Sequence, residues 1–196
     1  MENKIYFILF IIILVILCMV VQSKKSNVYN LAYTLGTQYL DSIVIDPKYA
    51  VMFDIDDTLL DSKTFKPIKP IIKLLHECND RGLTVLIITA RDSIYTDATI
   101  QDLLDLKIYP KNVAPKRAAY YDFLYLRHSP SEDHELFKSN VKEKLAKHGI
   151  FTIMSIGDNE IDVTGKFSGY AIKLPNIRDP RLFHTNARGQ LVQVIK

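Results

Sequence analysis

The 196-residue sequence has only two cysteines, Cys18 and Cys78. Cys18 lies inside an N-terminal apolar run, so Cys78 is alone in the rest of the chain and no disulfide can form within the domain. The fold therefore does not depend on an oxidising compartment. Basic blocks longer than two residues, internal repeats and low-complexity segments are also absent, and the net charge is only +3. These absences give no independent case for nucleic-acid binding.

Charged residues are missing from Ile5 to Val21, a run of 17 residues. As a helix it would be roughly 26 Å long, the short limit for a membrane span. We expect an uncleaved anchor in residues 1–23. The alternative is a signal peptide cleaved near Ser23, although the run is longer than a usual signal-peptide core. Because Lys24 and Lys25 follow the run, the positive-inside rule slightly favours a cytoplasmic location for the C-terminal domain.

The remaining chain, about 170 residues, has the length of one domain. Residues 24–48 are interpreted as a linker and a docking helix from about Val28 to Val44, and residues 49–196 as the main domain. There, continuous apolar runs alternate with helical patterns, which indicates a parallel sheet covered on both faces. Right-handed crossovers then build a doubly wound, Rossmann-like α/β fold. The expected strands are 49–53, 83–89, 123–126, 151–156, 170–174 and a possible 191–195; the expected helices are 70–78, 93–106 and 138–148.

Polar side chains follow three of these expected strands. Because the carboxyl ends of parallel strands meet at one edge of a sheet, we expect these side chains to converge. Each alone has a plainer interpretation as a turn residue, a cap or a solvated charge. Together, the carboxylates, a hydroxyl and an ammonium indicate a hard cation, most simply Mg²⁺, beside a phosphate. The residues are Asp54 and Asp56, Thr89 and Arg91, Asp158 and Asp162, and Lys138 at the start of a helix.

Four segments resemble the motifs of the haloacid dehalogenase (HAD) superfamily. They occur in the family's order between about residues 49 and 175: VMFDIDDTLL (51–60), LTVLIITAR (83–91), ELFKSNVKEKL (135–145) and IMSIGDNEID (153–162). Thr-Ala-Arg at 89–91, Lys-Ser at 138–139 and KLPN at 173–176 are similar to the class B and class C acid-phosphatase branch, subfamily III. The family more often has glycine where Ala90 stands.

The resemblance implies a Mg²⁺-dependent phosphomonoester hydrolase. Asp54 would be the nucleophile that forms an aspartyl-phosphate, and Asp56 the general acid and base. Asp54, the backbone carbonyl of Asp56, and Asp158 would hold Mg²⁺, with Asp162 supporting the metal site from outside the direct ligands.

The resemblance also implies the phosphate-binding groups. Thr89 and Lys138 would bind the phosphoryl oxygens. Thr58 and Arg91 would support the site, and Arg91 is interpreted equally as a phosphate contact or a salt-bridge partner. Asp57 is interpreted as a turn residue and Asp61 as a surface or loop-capping residue.

The gaps between the motifs leave no room for a full-sized cap domain, so we expect an open site with a minimal cap. Such a site suits a small phosphomonoester, with a nucleotide among the candidates, or else a bulky substrate such as a protein or a nucleic-acid end. Aromatic residues in 120–125 could stack a nucleobase, but packing is the preferred interpretation. His128 and His134 are expected to be exposed to solvent. The sequence does not indicate an oligomeric state.

Other functions are compatible with the same motifs. A protein phosphoserine phosphatase or a phosphotransferase would use the same aspartyl-phosphate chemistry on another substrate or acceptor. A catalytically silent binding protein on this fold is disfavoured, because Asp54, Asp56, Lys138 and Asp158 are all present.

Overall fold

The computed structural model of the protein describes residues 2–129 and 131–194, with helices and strands that alternate along most of the chain. The helices are α1 (Glu2–Asp41), α2 (Lys69–Asp80), α3 (Thr96–Asp105), α4 (His134–Lys147) and α5 (Glu160–Val163). The strands are β1 (Tyr49–Phe53), β2 (Leu60–Asp61), β3 (Lys66–Pro67), β4 (Thr84–Asp92), β5 (Ile108–Pro110), β6 (Ala119–Tyr121), β7 (Phe123–Arg127), β8 (Phe151–Gly157), β9 (Tyr170–Lys173), β10 (Phe183–Thr185) and β11 (Leu191–Gln193).

The main sheet has the order β11-β10-β9-β8-β1-β4-β7. Strands β9, β8, β1, β4 and β7 run parallel, whereas β10 and β11 pair antiparallel at one edge. The largely parallel α/β sheet confirms the expected fold class and is consistent with a HAD-like fold. In the insert between β1 and α2, the regular structure is the small β2–β3 hairpin, in keeping with an open site.

Both faces of the sheet are buried, as its apolar strands require. Successive side chains of a strand point to opposite faces. In β1, Val51 and Phe53 therefore join the core formed with α1 and α2, while Ala50 and Met52 join the core formed with α4. Each fully buried large side chain of this kind contributes about 1.5–3 kcal/mol by its removal from water.

Helix α1 is longer than the sequence pattern indicated. Residues 2–35 contain no glycine or proline, so nothing interrupts the helix before Val28, where we expected it to begin. It ends at Asp41, three residues earlier than expected. The helix passes close to α2 at Gly36, where a side chain would clash with Leu74.

The direction of α1 is fixed by two contacts. The ring of Tyr39 stacks on Tyr170, the first residue of β9, with 4.4 Å between centroids. About three turns earlier in the helix, Val28 and Tyr29 lie beside residues 175–180, which follow β9. The helix therefore runs antiparallel to the sheet strands, and its N-terminal part extends past the carboxyl edge of the sheet.

Among the described residues, no helix combines the length and the apolarity that a membrane span requires. Most side chains of the expected anchor, residues 5–21, lie outside the described part of the chain. The anchor therefore stays a prediction.

Several other elements differ from the expectations. Helix α4 begins at His134 rather than Lys138, which places Lys138 in its second turn. Residues 93–95 form a 3-10 turn before α3. The interval 107–121, for which neither a helix nor a strand was expected, contains β5 and β6, which pair parallel. Strand β10 was not expected, whereas the possible last strand is present as β11.

Candidate active site

Three buried carboxylates meet at the carboxyl edge of the sheet. Asp54 follows β1, Asp158 follows β8, and Asp162 lies in α5. Each offers an oxygen atom, and these atoms all lie within 4.8 Å of one another. Strand order explains the meeting, because β1 and β8 are neighbours and parallel.

The ammonium of Lys138 joins this group from α4. Its Nζ donates to Oδ1 of Asp54 at 2.5 Å and to Oδ1 of Asp162 at 2.6 Å, and all three side chains are buried. The second turn of α4 therefore delivers one positive charge between two carboxylates. The predicted convergence of Asp54, Lys138, Asp158 and Asp162 is what the structure shows.

Gly157, the last residue of β8, allows Asp162 to approach. A Cβ at position 157 would collide with the Asp162 side chain. The Oδ2 atom of Asp162 accepts the backbone N–H of Asn159 at 2.9 Å, as part of a capping box at the start of α5. One Asp162 oxygen thus fixes the local turn and the other accepts from Lys138.

The electrostatics of this group are unbalanced. Burial raises the pKa of Asp54, although Lys138 opposes that rise. Burial together with Asp162 and Asp57 raises the pKa of Asp158 to about 7. Burial tends to lower the pKa of Lys138, but Asp54 and Asp162 outweigh it and raise that pKa. Three carboxylates and one ammonium leave the site with excess negative charge when all four groups are ionised.

This donor set fits a divalent metal ion. Mg²⁺ binds through one or two carboxylates and completes its coordination with water and phosphate oxygens. Asp54 and Asp158 have the position and chemistry for that role, with Asp162 beside them. The predicted contact through the backbone carbonyl of Asp56 stays a prediction.

Thr89 and Thr58 lie near the site in different settings. Thr89 is buried near the end of β4 and lines the same crevice as the carboxylates, a cavity of about 430 Å³. Its Oγ1 accepts a long hydrogen bond from the backbone N–H of Arg91 at 3.3 Å. Thr58 is buried after β1, and its hydroxyl has no hydrogen-bond partner among the described residues. Their predicted roles in phosphate binding and support stay predictions.

Asp56 is held by Arg91. The Nε and Nη2 atoms of Arg91 donate to Oδ2 and Oδ1 of Asp56, each at 2.8 Å, and Nη1 donates to Asp102 of α3 at 2.6 Å. Hydrogen bonds to Asp56 are the largest cause of the raised pKa of Arg91. Of the two interpretations of Arg91, the structure has the salt bridge. The two hydrogen bonds fix the orientation of the Asp56 side chain, which also lines the crevice.

The tight turn after β1 separates the four acidic residues of the first motif. The backbone N–H groups of residues 58–60 donate to the carbonyl of Ile55, and Asp57 has a left-handed φ of 52°. The Asp57 side chain accepts from the backbone and hydroxyl of Ser62, and Asp61 accepts from two backbone N–H groups of its loop. Asp57 and Asp61 thus have the predicted turn and capping roles, although Asp57 also lines the crevice.

The family described as HAD superfamily, subfamily IIIB (Acid phosphatase), matches residues 62–178. The chain belongs to this acid phosphatase family. Membership confirms the predicted resemblance and the predicted enzyme class. The matched range includes Thr89, Lys138, Asp158 and Asp162, and it begins shortly after Asp54. No curated protein sequence matches the chain significantly.

Solved structures of similar fold include two of the class C acid phosphatase from Bacillus anthracis. One is 22% identical, with a TM-score of 0.53, and the tungstate-bound one is 23% identical, with a TM-score of 0.54. Each similarity covers 72% of this chain and 66% of that one, slightly under two thirds of its length. A Pnkp1/Rnl/Hen1 complex is 16% identical over 65% of this chain and 46% of its own, with a TM-score of 0.53. These likenesses support the fold.

One buried residue beside the crevice escaped the sequence reasoning, whereas a histidine there has the expected exposure. His134, the first residue of α4, is exposed as expected and also lines the crevice, where its Nε2 contacts Nη1 of Arg127. Lys142 is fully buried one turn after Lys138, and its Nζ donates to Ser168 at 2.6 Å and to the carbonyl of Asp162 at 3.2 Å. The spacing of four residues between the two lysines was the available signal, since it puts both on one face of α4.

The aromatic residues of 120–125 lie away from the crevice lining. Tyr121 belongs to the core, and the rings of Phe123 and Tyr125 stack with 6.3 Å between centroids on β7. Packing, the preferred interpretation, accounts for them. His128, like His134, is exposed as expected.

Proposed function

We propose that this acid phosphatase family member is a Mg²⁺-dependent hydrolase of phosphomonoesters that acts through an aspartyl-phosphate at Asp54. The observation that carries the proposal is the buried group of Asp54, Asp158 and Asp162, in which Lys138 bridges Asp54 and Asp162. Thr89 lines the same crevice. A carboxylate nucleophile beside a cationic phosphate site is the arrangement that phosphoryl transfer needs.

In the first step, Asp54 attacks phosphorus and the bond to the leaving oxygen breaks. A phosphomonoester dianion and a carboxylate repel each other, so positive charge has to offset this repulsion. Lys138 already lies 2.5 Å from Asp54 and supplies one such charge, while Thr89 donates to a phosphoryl oxygen. When bound by Asp54 and Asp158, Mg²⁺ would supply further positive charge and orient the phosphoryl oxygens.

In the second step, Asp56 accepts a proton from the water that hydrolyses the aspartyl-phosphate. Arg91 holds the Asp56 side chain beside the site through two hydrogen bonds of 2.8 Å, which positions it for this base role. Protonation of a leaving alkoxide requires that Asp56 first takes up a proton. Leaving groups that depart as stable anions, such as aryl oxides, do not need that proton and are expected to react faster.

The remaining parts of the proposal concern substrate and location. A small phosphomonoester is the minimum substrate, since an open crevice of about 430 Å³ admits a phosphoryl group with its alcohol. Residues 5–21 anchor the chain in a membrane, and Lys24 and Lys25 place the catalytic domain on the cytoplasmic side.

The test is hydrolysis of p-nitrophenyl phosphate by the full-length chain in detergent, with and without Mg²⁺. We expect turnover with Mg²⁺, loss of turnover in a chelator, and a fall on the order of 10³-fold or more in Asp54→Asn. The matched control is Asp46→Asn, which makes the same change in charge before β1, at the opposite edge of the sheet. Full activity of Asp54→Asn, or Mg²⁺-independent turnover, would show that the proposal is wrong.

A further inference from the structure

A second cavity adjoins the catalytic crevice. Its volume is about 480 Å³, within the range of small-molecule sites. Apolar side chains form most of its wall: Val28 and Tyr29 from α1, and Pro175, Ile177 and Pro180 from the segment after β9. This lining differs from that of the crevice, which is dominated by charged and polar groups.

The two cavities share a wall. Asp57 lines both of them. Asn176, which also lines the second cavity, donates from Nδ2 to the backbone carbonyl of Asp158 at 2.8 Å. An ester whose phosphoryl group lies at Asp54 therefore has the apolar cavity directly beside its alcohol.

The N-terminal half of α1 extends from this same edge. Because α1 runs antiparallel to the sheet, residues before Val28 lead outward on the side where the crevice opens. The uncharged run ends at Val21, seven residues before Val28, which is about 10 Å along a helix. The described side chains in the run, Tyr6 and residues 10–14, are exposed.

Exposed apolar side chains also flank the cavity. Ile177, in its wall, is 78% exposed, and so is Phe65 on the loop that brings Lys63 to the cavity. Lys63 adds a positive charge at a site that otherwise has Asp57 as its charged group. An apolar surface with a cation beside a phosphate site is complementary to a lipid that carries a terminal phosphate.

We propose that the substrate is a lipid phosphomonoester displayed at a membrane surface, with its phosphate in the crevice and the first part of its acyl chains in the apolar cavity. This inference rests on the proposed phosphatase function. The phosphorus–oxygen bond to the glycerol oxygen breaks as Asp54 bonds to phosphorus. The glycerol oxygen takes a proton, and one water then releases inorganic phosphate and regenerates Asp54, so a phosphatidate and water give a diacylglycerol and phosphate.

The experiment compares substrates that share one phosphate group and differ in their alcohol. The full-length chain with Mg²⁺ in mixed detergent micelles is given dioleoyl phosphatidate, glycerol 3-phosphate, adenosine monophosphate or p-nitrophenyl phosphate. We expect kcat/KM for the phosphatidate to exceed that for glycerol 3-phosphate by about tenfold or more, since burying several methylenes contributes well over 1.4 kcal/mol. The kcat/KM for soluble dihexanoyl phosphatidate should lie between these two values, because its shorter chains bury fewer methylenes in the cavity.

A pair of variants ties the preference to the cavity. Ile177→Asp should lower the ratio of phosphatidate to glycerol 3-phosphate turnover by about tenfold. Val44→Asp is the matched control, because Val44 is 89% exposed just after the other end of α1, and its ratio should equal that of the natural chain. Circular dichroism checks that both variants fold.

The outcomes separate this inference from the proposed function. Turnover of p-nitrophenyl phosphate without a preference for phosphatidate overturns the lipid assignment and leaves the phosphatase proposal standing. A higher kcat/KM for adenosine monophosphate than for the phosphatidate assigns the cavity to a nucleoside and also overturns the lipid assignment. An unchanged ratio in Ile177→Asp shows that the cavity does not bind the chains. No turnover of any ester refutes the phosphatase proposal, and the lipid assignment falls with it.

Discussion

Arg91 provides a sharp test of how Asp56 is positioned. Its guanidinium bridges Asp56 and Asp102, with both oxygens of Asp56 engaged at 2.8 Å. Replacement of Arg91 by alanine removes this bidentate contact and leaves Asp56 free to rotate. A displacement of about 1 Å in a catalytic group can cost about 10²-fold in rate. We therefore expect kcat of Arg91→Ala to fall by about 10- to 100-fold, up to about 2.7 kcal/mol in the barrier.

The expected effect on folding is smaller. The side chains of Asp56 and Asp102 are 45% and 43% exposed, so solvent screens both ion pairs. Each pair then contributes about 1 kcal/mol or less to the free energy of unfolding. Arg91→Lys keeps the charge but cannot donate to both oxygens with a planar fork, so its kcat should lie between those of the natural chain and Arg91→Ala.

A matched control is available at the opposite edge of the sheet. Arg81 also bridges two carboxylates, with 2.6 Å to Asp41 and 2.9 Å to Glu77. Arg81→Ala should lose a similar free energy of unfolding, measured by urea titration, and should keep its kcat on p-nitrophenyl phosphate. The reasoning is refuted if Arg91→Ala retains full kcat, or if Arg81→Ala loses as much kcat as Arg91→Ala.

Three further outcomes can be measured with single variants. Gly157→Ala should lower kcat at least about tenfold with retained circular dichroism, because the methyl group would displace Asp162; unchanged kcat contradicts this. Lys142→Met should lower the free energy of unfolding by about 1–3 kcal/mol in urea, because the buried oxygens of Asp162 and Ser168 lose their donor; a more stable variant contradicts this. Hydrogen bonding, chiefly to the carbonyl at position 117, raises the pKa of His76. Its stabilising effect, measured against His76→Gln in urea, should be full below about pH 6.5 and decline as pH rises through the higher folded pKa; a difference that grows with pH contradicts this.

The sequence pattern predicted the central layer of the fold well. The strands β1, β4, β8 and β9 are continuous apolar runs, and such runs are typical of a sheet buried on both faces. The edge strands β10 and β11 were harder to predict, because they are short, partly exposed and without a clear alternation of apolar and polar residues. The length of α1 was missed because a capping residue such as Asn27 signals a helix start only if the preceding chain is not helical.

The candidate site, like the fold, could be predicted only in part from the sequence. Asp54, Asp158 and Asp162 could be predicted to converge, because strand ends and a short turn fix their positions. The partner of Asp56 could not be chosen, since Arg91 is equally suited to bind phosphate or carboxylate. The apolar cavity could not be predicted from the sequence. It lies between α1 and residues 175–180, which are about 150 positions apart in sequence. Contacts of that range depend on packing and not on local pattern.

The most direct test of the central claim is the detection of a phosphoryl group on Asp54. In Asp56→Asn, p-nitrophenolate can leave without a proton while the base for the second step is missing, so the aspartyl-phosphate should accumulate. Acid quenching after one turnover, followed by peptide mass spectrometry, should find one added phosphoryl group on Asp54, matched by a burst of one nitrophenolate per chain. Asp54→Asn should show neither. A phosphoryl group on another residue, or turnover by Asp54→Asn at the natural rate, would contradict the account.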